Sequence, residues 1–365
     1  MDQTEALIIE TIDRHREEIL EFARDIYSHA ELGYKEFQTS GKFVKKMEQL
    51  GLRTEKGFAI TGVKAYLNED KKENASLALL GELDALRIPE HAFANPETNA
   101  AHCCGHHAQM AGVFGAALAL TVPEIAEKLD GQVVFFATPA EEYGEIEFKN
   151  QLREQGKIRY GGGKCELLRI GAFDDIDLCL THHIRPGNEI LVGSGTGNGF
   201  VSKVIRVLGK ASHAAGAPEK GVNALSAASL GLQALGLNRE TFRDEDCVRV
   251  HPIITKGGNL VNVIPDEVVV ETLVRGKTIE AFTDAAKKTD RSFKAGAIAM
   301  GAKVEISTLP GYLPTLAEEA LPELKHAAEI SASGIPVIEA SGHAGGSTDV
   351  GDVQHLMPVY TFNTG

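Results

Sequence analysis

A chain of 365 residues is long enough for more than one domain. With 43 % hydrophobic and 24 % charged residues it has the composition of an ordinary globular protein. Its formal net charge of −14 argues against nucleic-acid or anionic-membrane binding, which needs a local excess of Lys and Arg.

No apolar run is long enough to span a bilayer. The start, "MDQTEALIIETIDRHREEILEFARDI", reads as an acidic amphipathic helix without the regions of a signal peptide. The five cysteines, at 103, 104, 165, 179 and 247, are odd in number and do not form a disulfide framework. A reducing cytoplasm is the expected location, and no nucleic-acid or membrane partner is expected.

In chain order, the first sixty residues are predicted to form two helices with a turn at "HAELGYKEF". Residues 76–86 ("SLALLGELDAL") form a continuous apolar run ending in acids. Residues 109–120 place Met110, Val113, Phe114, Ala117 and Leu118 on one helical face. Residues 131–142 ("GQVVFFATPAEE") read as a second buried strand ending in acids, and 175–184 ("DIDLCLTHHI") as a third ending in histidines. Fully apolar strands alternating with helices predict an α/β domain, with a mostly parallel sheet and helices on both faces.

Glycines crowd "GSGTGNGF" (193–200), but β-type residues follow, so this reads as a linker and not as a dinucleotide loop. Strand 200–210, helix 222–236, strands 248–256 and 267–276, helix 278–300 and strand 303–311 follow. That β-α-β-β-α-β order is the plan of a small ferredoxin-like domain. A helix near 316–330, then "PVIEA" and "PVYTFN", resume the first pattern. The expected division is therefore 1–197 and 313–365 for a catalytic domain, with an inserted lid domain at 198–312.

Ligands of open parallel sheets bind beyond the carboxyl ends of the strands. Three strands end there in Glu82 and Asp84, in Glu141 and Glu142, and in His182 and His183. The knot "AHCCGHH" (101–107) precedes a helix on the same edge. A single strand-end histidine is usually a satisfied polar residue, and paired glutamates are usually solvated. Four such clusters on one edge point instead to metal, and carboxylates, imidazoles and one thiolate suit Zn²⁺, Mn²⁺ or Co²⁺. The adjacent Cys103 and Cys104 are neither a zinc-finger pair nor a CxxC redox motif. His182 points away from His183 in an extended segment and is given no metal role.

The ordered set "GELDAL", "HCCGHH", "PAEEYGE", "THHIRPG", "GKASHAAGAPEKGVNAL", "GGNLVNVIPDE" and "GSTDVGDV" resembles a family of dinuclear metallopeptidases. It includes aminoacylases, carboxypeptidase G and the auxin-conjugate hydrolases, and the likeness is greatest to the aminobenzoyl-glutamate hydrolase-like branch. The resemblance implies two divalent metal ions (Zn, Mn or Co) held by Cys104, His106, Glu142 and His183. It implies Glu141 as general base, Asp84 as the acid that orients the site, and His213 as an oxyanion donor, in the family often reaching a partner subunit's site. Glu82 stands where other branches carry a histidine ligand. Asn262 and Arg275 match positions near the substrate's oxyanion and carboxylate.

The implied activity is amide hydrolysis of N-acyl amino acids, aminobenzoyl-glutamate-like conjugates or dipeptides, by a homodimer joined through the lid. "CGHHAQ" departs from the branch's Cys-Gly-His-Asp-x-His, and His107 could be a ligand, a donor behind the ligands or a specificity residue. The family's last histidine ligand follows the final core strand, where this chain stops at Thr364-Gly365. One metal site is therefore expected to be incomplete. The rival expectation is a metal- or ligand-binding homologue with impaired catalysis.

Overall fold

The structure, a computed structural model, describes residues 1–332 and 334–365. The chain forms two compact units. The first comprises Met1–Thr196, Leu316–His343 and Thr348–Gly365, and the second comprises Gly197–Thr315 and Ala344–Ser347.

The first unit opens with three helices: α1 (Gln3–Arg14), α2 (Arg16–Ser28) and α3 (Phe37–Gln49). Asp2 and Glu5 close a capping box at the start of α1, satisfying amides that a helix end would otherwise leave unpaired. Two antiparallel strands follow, β1 (Arg53–Phe58) and β2 (Gly62–Leu67). The two-helix expectation for this stretch is thus corrected to three helices and a hairpin. β1 is a largely exposed edge with charged side chains, so it carries little apolar alternation to reveal it.

Next come β3 (Ser76–Glu82), α4 (His106–Leu120), β4 (Gln132–Thr138), α5 (Ile146–Glu154), α6 (Gly163–Arg169), β5 (Leu178–Ile184) and β6 (Ile190–Val192). α4 begins three residues earlier than its apolar periodicity suggests. Gly105, at φ 97°, makes the left-handed turn that starts it, and the first turn carries polar rings in place of apolar residues.

In the second unit, β7 (Gly199–Leu208), α7 (Ala224–Asn238), β8 (Arg249–Val250), β9 (Ile253–Lys256), β10 (Glu267–Gly276), α8 (Ile279–Met300) and β11 (Lys303–Pro310) give an antiparallel sheet in the order β8-β10-β7-β11, with β9 also on β10. This is the ferredoxin-like order. β10 alternates buried and half-buried residues, and its Val268, Val270 and Val274 join Ile205, Val207, Ala227, Ala228 and Phe293 in one core. The predicted strand 248–256 is split because Pro252 lacks the N–H that a continuous ladder needs.

The first unit resumes with α9 (Pro322–Ser331), β12 (Val337–Glu339), α10 (Val350–Gln354) and β13 (Val359–Thr364). Its eight-stranded sheet runs β1-β2-β4-β3-β5-β13-β6-β12, and the four central strands β4, β3, β5 and β13 are mutually parallel. Every residue of β4 is buried. Val133, Phe135 and Ala137 face a core shared with α2, α3 and α4, and Val134 and Phe136 face one shared with α5, α6 and α10. Helices therefore cover both faces, and only the carboxyl edge of the central strands can carry a site.

Candidate metal centre

That edge collects side chains from six elements. β3 delivers Glu82 at its last position and Asp84 two residues later, both buried. After β4 the backbone turns through Ala140, at φ 50°, into Glu141 and Glu142. β5 carries His182 and His183, α4 starts at His106, α6 carries Lys164 in its first turn, and Asp349 immediately precedes α10.

Asp84 organises the turn after β4. One carboxylate oxygen accepts the backbone N–H of Glu141 at 3.1 Å and the other that of Glu142 at 2.9 Å. Behind it, the fully buried Glu36 accepts the N–H of Ala140 at 2.8 Å and the hydroxyl of Thr61 at 2.7 Å. Lys149 Nζ donates to the Glu142 carbonyl at 2.6 Å. Gln109 accepts the N–H of Glu82 at 2.8 Å and donates to the His182 carbonyl at 2.7 Å, tying the ends of β3 and β5.

Both imidazoles at the rim are oriented alike. His106 Nδ1 lies 2.8 Å from the Asp84 carbonyl, and His183 Nδ1 lies 2.7 Å from the Ile184 carbonyl. A carbonyl only accepts, so each Nδ1 carries a proton, which leaves Nε2 as the nitrogen that would meet an ion. His183 Nε2 lies 3.3 Å from Cys104 Sγ. Among the described residues, His106 Nε2 is buried without a hydrogen-bond partner, because Glu82 Oε2, at 3.1 Å, is off hydrogen-bonding geometry.

Among the described residues, three groups of donor atoms each fit within 4.8 Å: Cys104, His106 and His183; His106, Glu141 and Glu142; and Glu82, Glu141 and Asp349. An orphaned buried Nε2 among a thiol, a second imidazole and carboxylates fits a borderline divalent ion. The four residues expected to hold metal, Cys104, His106, Glu142 and His183, thus meet at one rim.

The electrostatics favour positive charge there. Burial opposes a charge on His106, but Glu82 and Asp84 outweigh it and hold its pKa well above the usual value. Burial likewise works against an ionised Glu82, yet Lys164 and His106 hold that carboxyl down to about 2. Glu141 is pushed well up, first by burial and then by Glu82 and Asp349. Burial pushes the Cys104 thiol up to about 11, so a cation must supply the charge that makes it a thiolate.

The other sequence candidates are placed as follows. Cys103 is exposed and lies in none of the donor groups. His182 stacks on Phe362 with ring centroids 5.2 Å apart, and burial pulls its pKa to about 4. Room for it comes from Gly112, where a Cβ would lie 2.5 Å from the His182 ring. His107 packs against Tyr27 and His102.

Within the second unit, His213 pairs with Val263 in an antiparallel bridge, and the N–H of Ala214 donates to the Asn262 carbonyl at 2.9 Å. His213 Nδ1 accepts the N–H groups of Ala215 and Gly216, at 3.2 and 3.0 Å, which leaves the proton on Nε2. Arg275 lies near the opposite end of β10 from Asn262, with its guanidinium 5.9 Å from the Phe200 ring centre. The structure brings His213 and Asn262 together and keeps Arg275 apart from them.

Sequence reasoning missed Lys164, Asp349, Glu36 and Lys149. The available signal was a lysine in the glycine-rich, partly apolar "GGGKCELL", since a charge that such a segment buries demands partners.

An α/β unit with this donor set at its carboxyl edge, and a second ferredoxin-like unit, define a metal-dependent hydrolase architecture. The model of peptidase family M20/M25/M40 matches residues 78–365, and the chain belongs to that family of metallo-amidohydrolases. It is 28 % identical over 359 residues to the Xaa-Arg dipeptidase of Mus musculus, covering 96 % of this chain and 77 % of the mouse protein. It is 25 % identical over 357 residues to the N-acetyl-L-cysteine deacetylase of Bacillus subtilis, covering 94 % of this chain and 80 % of the bacterial protein. The crystal structure of an aminobenzoyl-glutamate utilization protein from Klebsiella pneumoniae shares the fold, with a TM-score of 0.70 at 20 % identity over 97 % of this chain and 93 % of that one. The chain spans a little over half the length of several other relatives that it matches.

Proposed function

We propose that the chain hydrolyses the amide bond between an acyl group and an amino acid, in N-acyl amino acids, aminobenzoyl-glutamate-like conjugates or dipeptides. A dipeptidase and an N-acetyl amino acid deacetylase among its relatives support this reading. The observation that carries it is the pair Glu141–Glu142, held by one carboxylate beside His106 so that neighbouring residues can take different tasks.

Cys104, His106, Glu142 and His183 hold the divalent ions, Zn²⁺, Mn²⁺ or Co²⁺. When bound, a pair of such ions lowers the pKa of a water and polarises the scissile carbonyl. Glu141, whose pKa burial raises above that of an ordinary carboxylate, takes the proton of the attacking water and returns it to the leaving nitrogen. Asp84 keeps both glutamates and His106 in place. His213, with its proton on Nε2, is the donor for the developing oxyanion, assisted by Asn262, and Arg275 recognises the product carboxylate.

A homodimer through the lid and a cytoplasmic location complete the reading. Exposed Ile253, Leu260 and Val261 on the second unit support the dimer, which light scattering would register as a doubled mass.

The function is tested by following hydrolysis of a panel of N-acyl amino acids and dipeptides with Mn²⁺, Co²⁺ or Zn²⁺, in wild type and Glu141→Gln. Metal-dependent turnover that falls about 1,000-fold or more in Glu141→Gln, with metal content unchanged, is expected. A background identical in both proteins would sink the enzymatic reading.

A further inference from the structure

The third donor group, Glu82, Glu141 and Asp349, has the all-oxygen character of a pocket for a hard divalent ion. A cation of the chain itself is already present. Lys164 Nζ donates to Glu82 Oε1 at 2.5 Å and to Asp349 Oδ1 at 2.7 Å, and the Lys164 backbone N–H donates to Asp349 Oδ2 at 2.8 Å. Lys164 and Asp349 are fully buried and Glu82 is 3 % exposed.

We propose that Lys164 is a built-in cation that closes the Glu82–Asp349 carboxylate pocket to divalent ions, confining them to the thiolate–imidazole side of the rim.

Three arguments support this. An ammonium and a divalent ion competing for the same two carboxylates repel each other strongly in a buried site of low dielectric. Lys164 is tethered through its own helix and through its backbone bond to Asp349, so it competes without the entropic cost that an ion from solution carries. Finally, Lys164 holds Glu82 through one oxygen, and the other oxygen lies 3.1 Å from His106 Nε2, the nitrogen left to face an ion. Lys164 therefore acts as a positioning residue through Glu82. Burial opposes its charge, but Asp349 and Glu82 outweigh that and hold its pKa above the ordinary value.

That ions bind this rim at all rests on the proposed function, whereas their exclusion from the Glu82–Asp349 pocket is read from metal position and content without turnover. Wild-type crystals soaked in Mn²⁺ should show anomalous peaks beside Cys104, His106, Glu142 and His183, and none between Glu82 and Asp349. A peak between those two carboxylates overturns the proposal.

In solution, Lys164→Ala opens the pocket, and Lys164→Met removes the charge while filling the space. After dialysis against Mn²⁺, Lys164→Ala should hold one ion per chain more than wild type, and Lys164→Met no more than wild type. A Lys164→Ala protein with native near-ultraviolet circular dichroism and wild-type metal content also overturns it. If Lys164→Ala does not fold, the wild-type anomalous map decides alone.

Discussion

Glu142 donates its backbone N–H to Asp84 at 2.9 Å, and Glu141 donates to the other oxygen of the same carboxylate at 3.1 Å. The Asp84 carbonyl also receives His106 Nδ1 at 2.8 Å. One residue from the end of β3 therefore sets the rotation of the turn after β4 and of the first imidazole of α4. Asp84→Asn keeps the shape but turns one acceptor oxygen into an amide nitrogen facing an N–H. Metal affinity and kcat should each fall about 10–100-fold. Chelator competition and steady-state kinetics measure the two separately, and an unchanged metal affinity would remove Asp84 from its orienting role.

The two adjacent cysteines differ in what they face. Cys104 Sγ lies 3.3 Å from His183 Nε2, whereas Cys103 is exposed. In the Co²⁺-loaded protein the thiolate charge-transfer absorption should vanish in Cys104→Ser and persist in Cys103→Ser. The opposite pattern would reverse the assignment.

Glu36 makes the protein's stability depend on pH. Burial, then repulsion from Asp84, raises its pKa from 4.5 to about 7. Between these values the folded chain binds a proton that the unfolded chain lacks. The stabilisation is therefore complete below pH 4.5 and is lost as pH rises through 7. The full effect is on the order of 3 kcal/mol. Glu36→Gln can still accept the Ala140 N–H and donate to Thr61 Oγ1. Its urea midpoint should thus exceed that of wild type at pH 8 and lose the slope that wild type shows between pH 5 and 7, roughly the window of the raised carboxyl. Parallel pH profiles for the two proteins would refute this.

Gly163 marks a close approach of two backbones. A Cβ there would lie 1.6 Å from the Pro139 carbonyl oxygen, just before the turn that carries Glu141. Gly163→Ala should cost about 3 kcal/mol or more and disturb Lys164 beside it. Gly41, in α3, has nothing within 4 Å of its Cβ position. Gly41→Ala should stabilise by about 0.5–1 kcal/mol. Urea titrations of the two variants should move in opposite directions.

Much of this could be read along the chain. The apolar runs at β3, β4 and β5 announced a sheet buried on both faces, and their last residues announced the acids and histidines of the rim. The β-α-β-β-α-β order of the second unit was legible because β10 and α8 have strong, different periods. The hairpin β1–β2 was not, since an exposed charged edge strand leaves no alternating trace. The polar frame was also hidden. Lys164 meets Glu82 across 82 residues and Asp349 across 185, and Glu36 reaches Ala140 across 104.

The sequence by itself determined which side chains end the central strands, because strand periodicity and the carboxyl-edge rule act on neighbouring residues. Only the tertiary structure decided which of those groups share a cation of the chain and which are left to face an ion. That choice depends on distances of a few ångströms between segments far apart in the chain, where burial makes an unpaired charge too costly to leave alone.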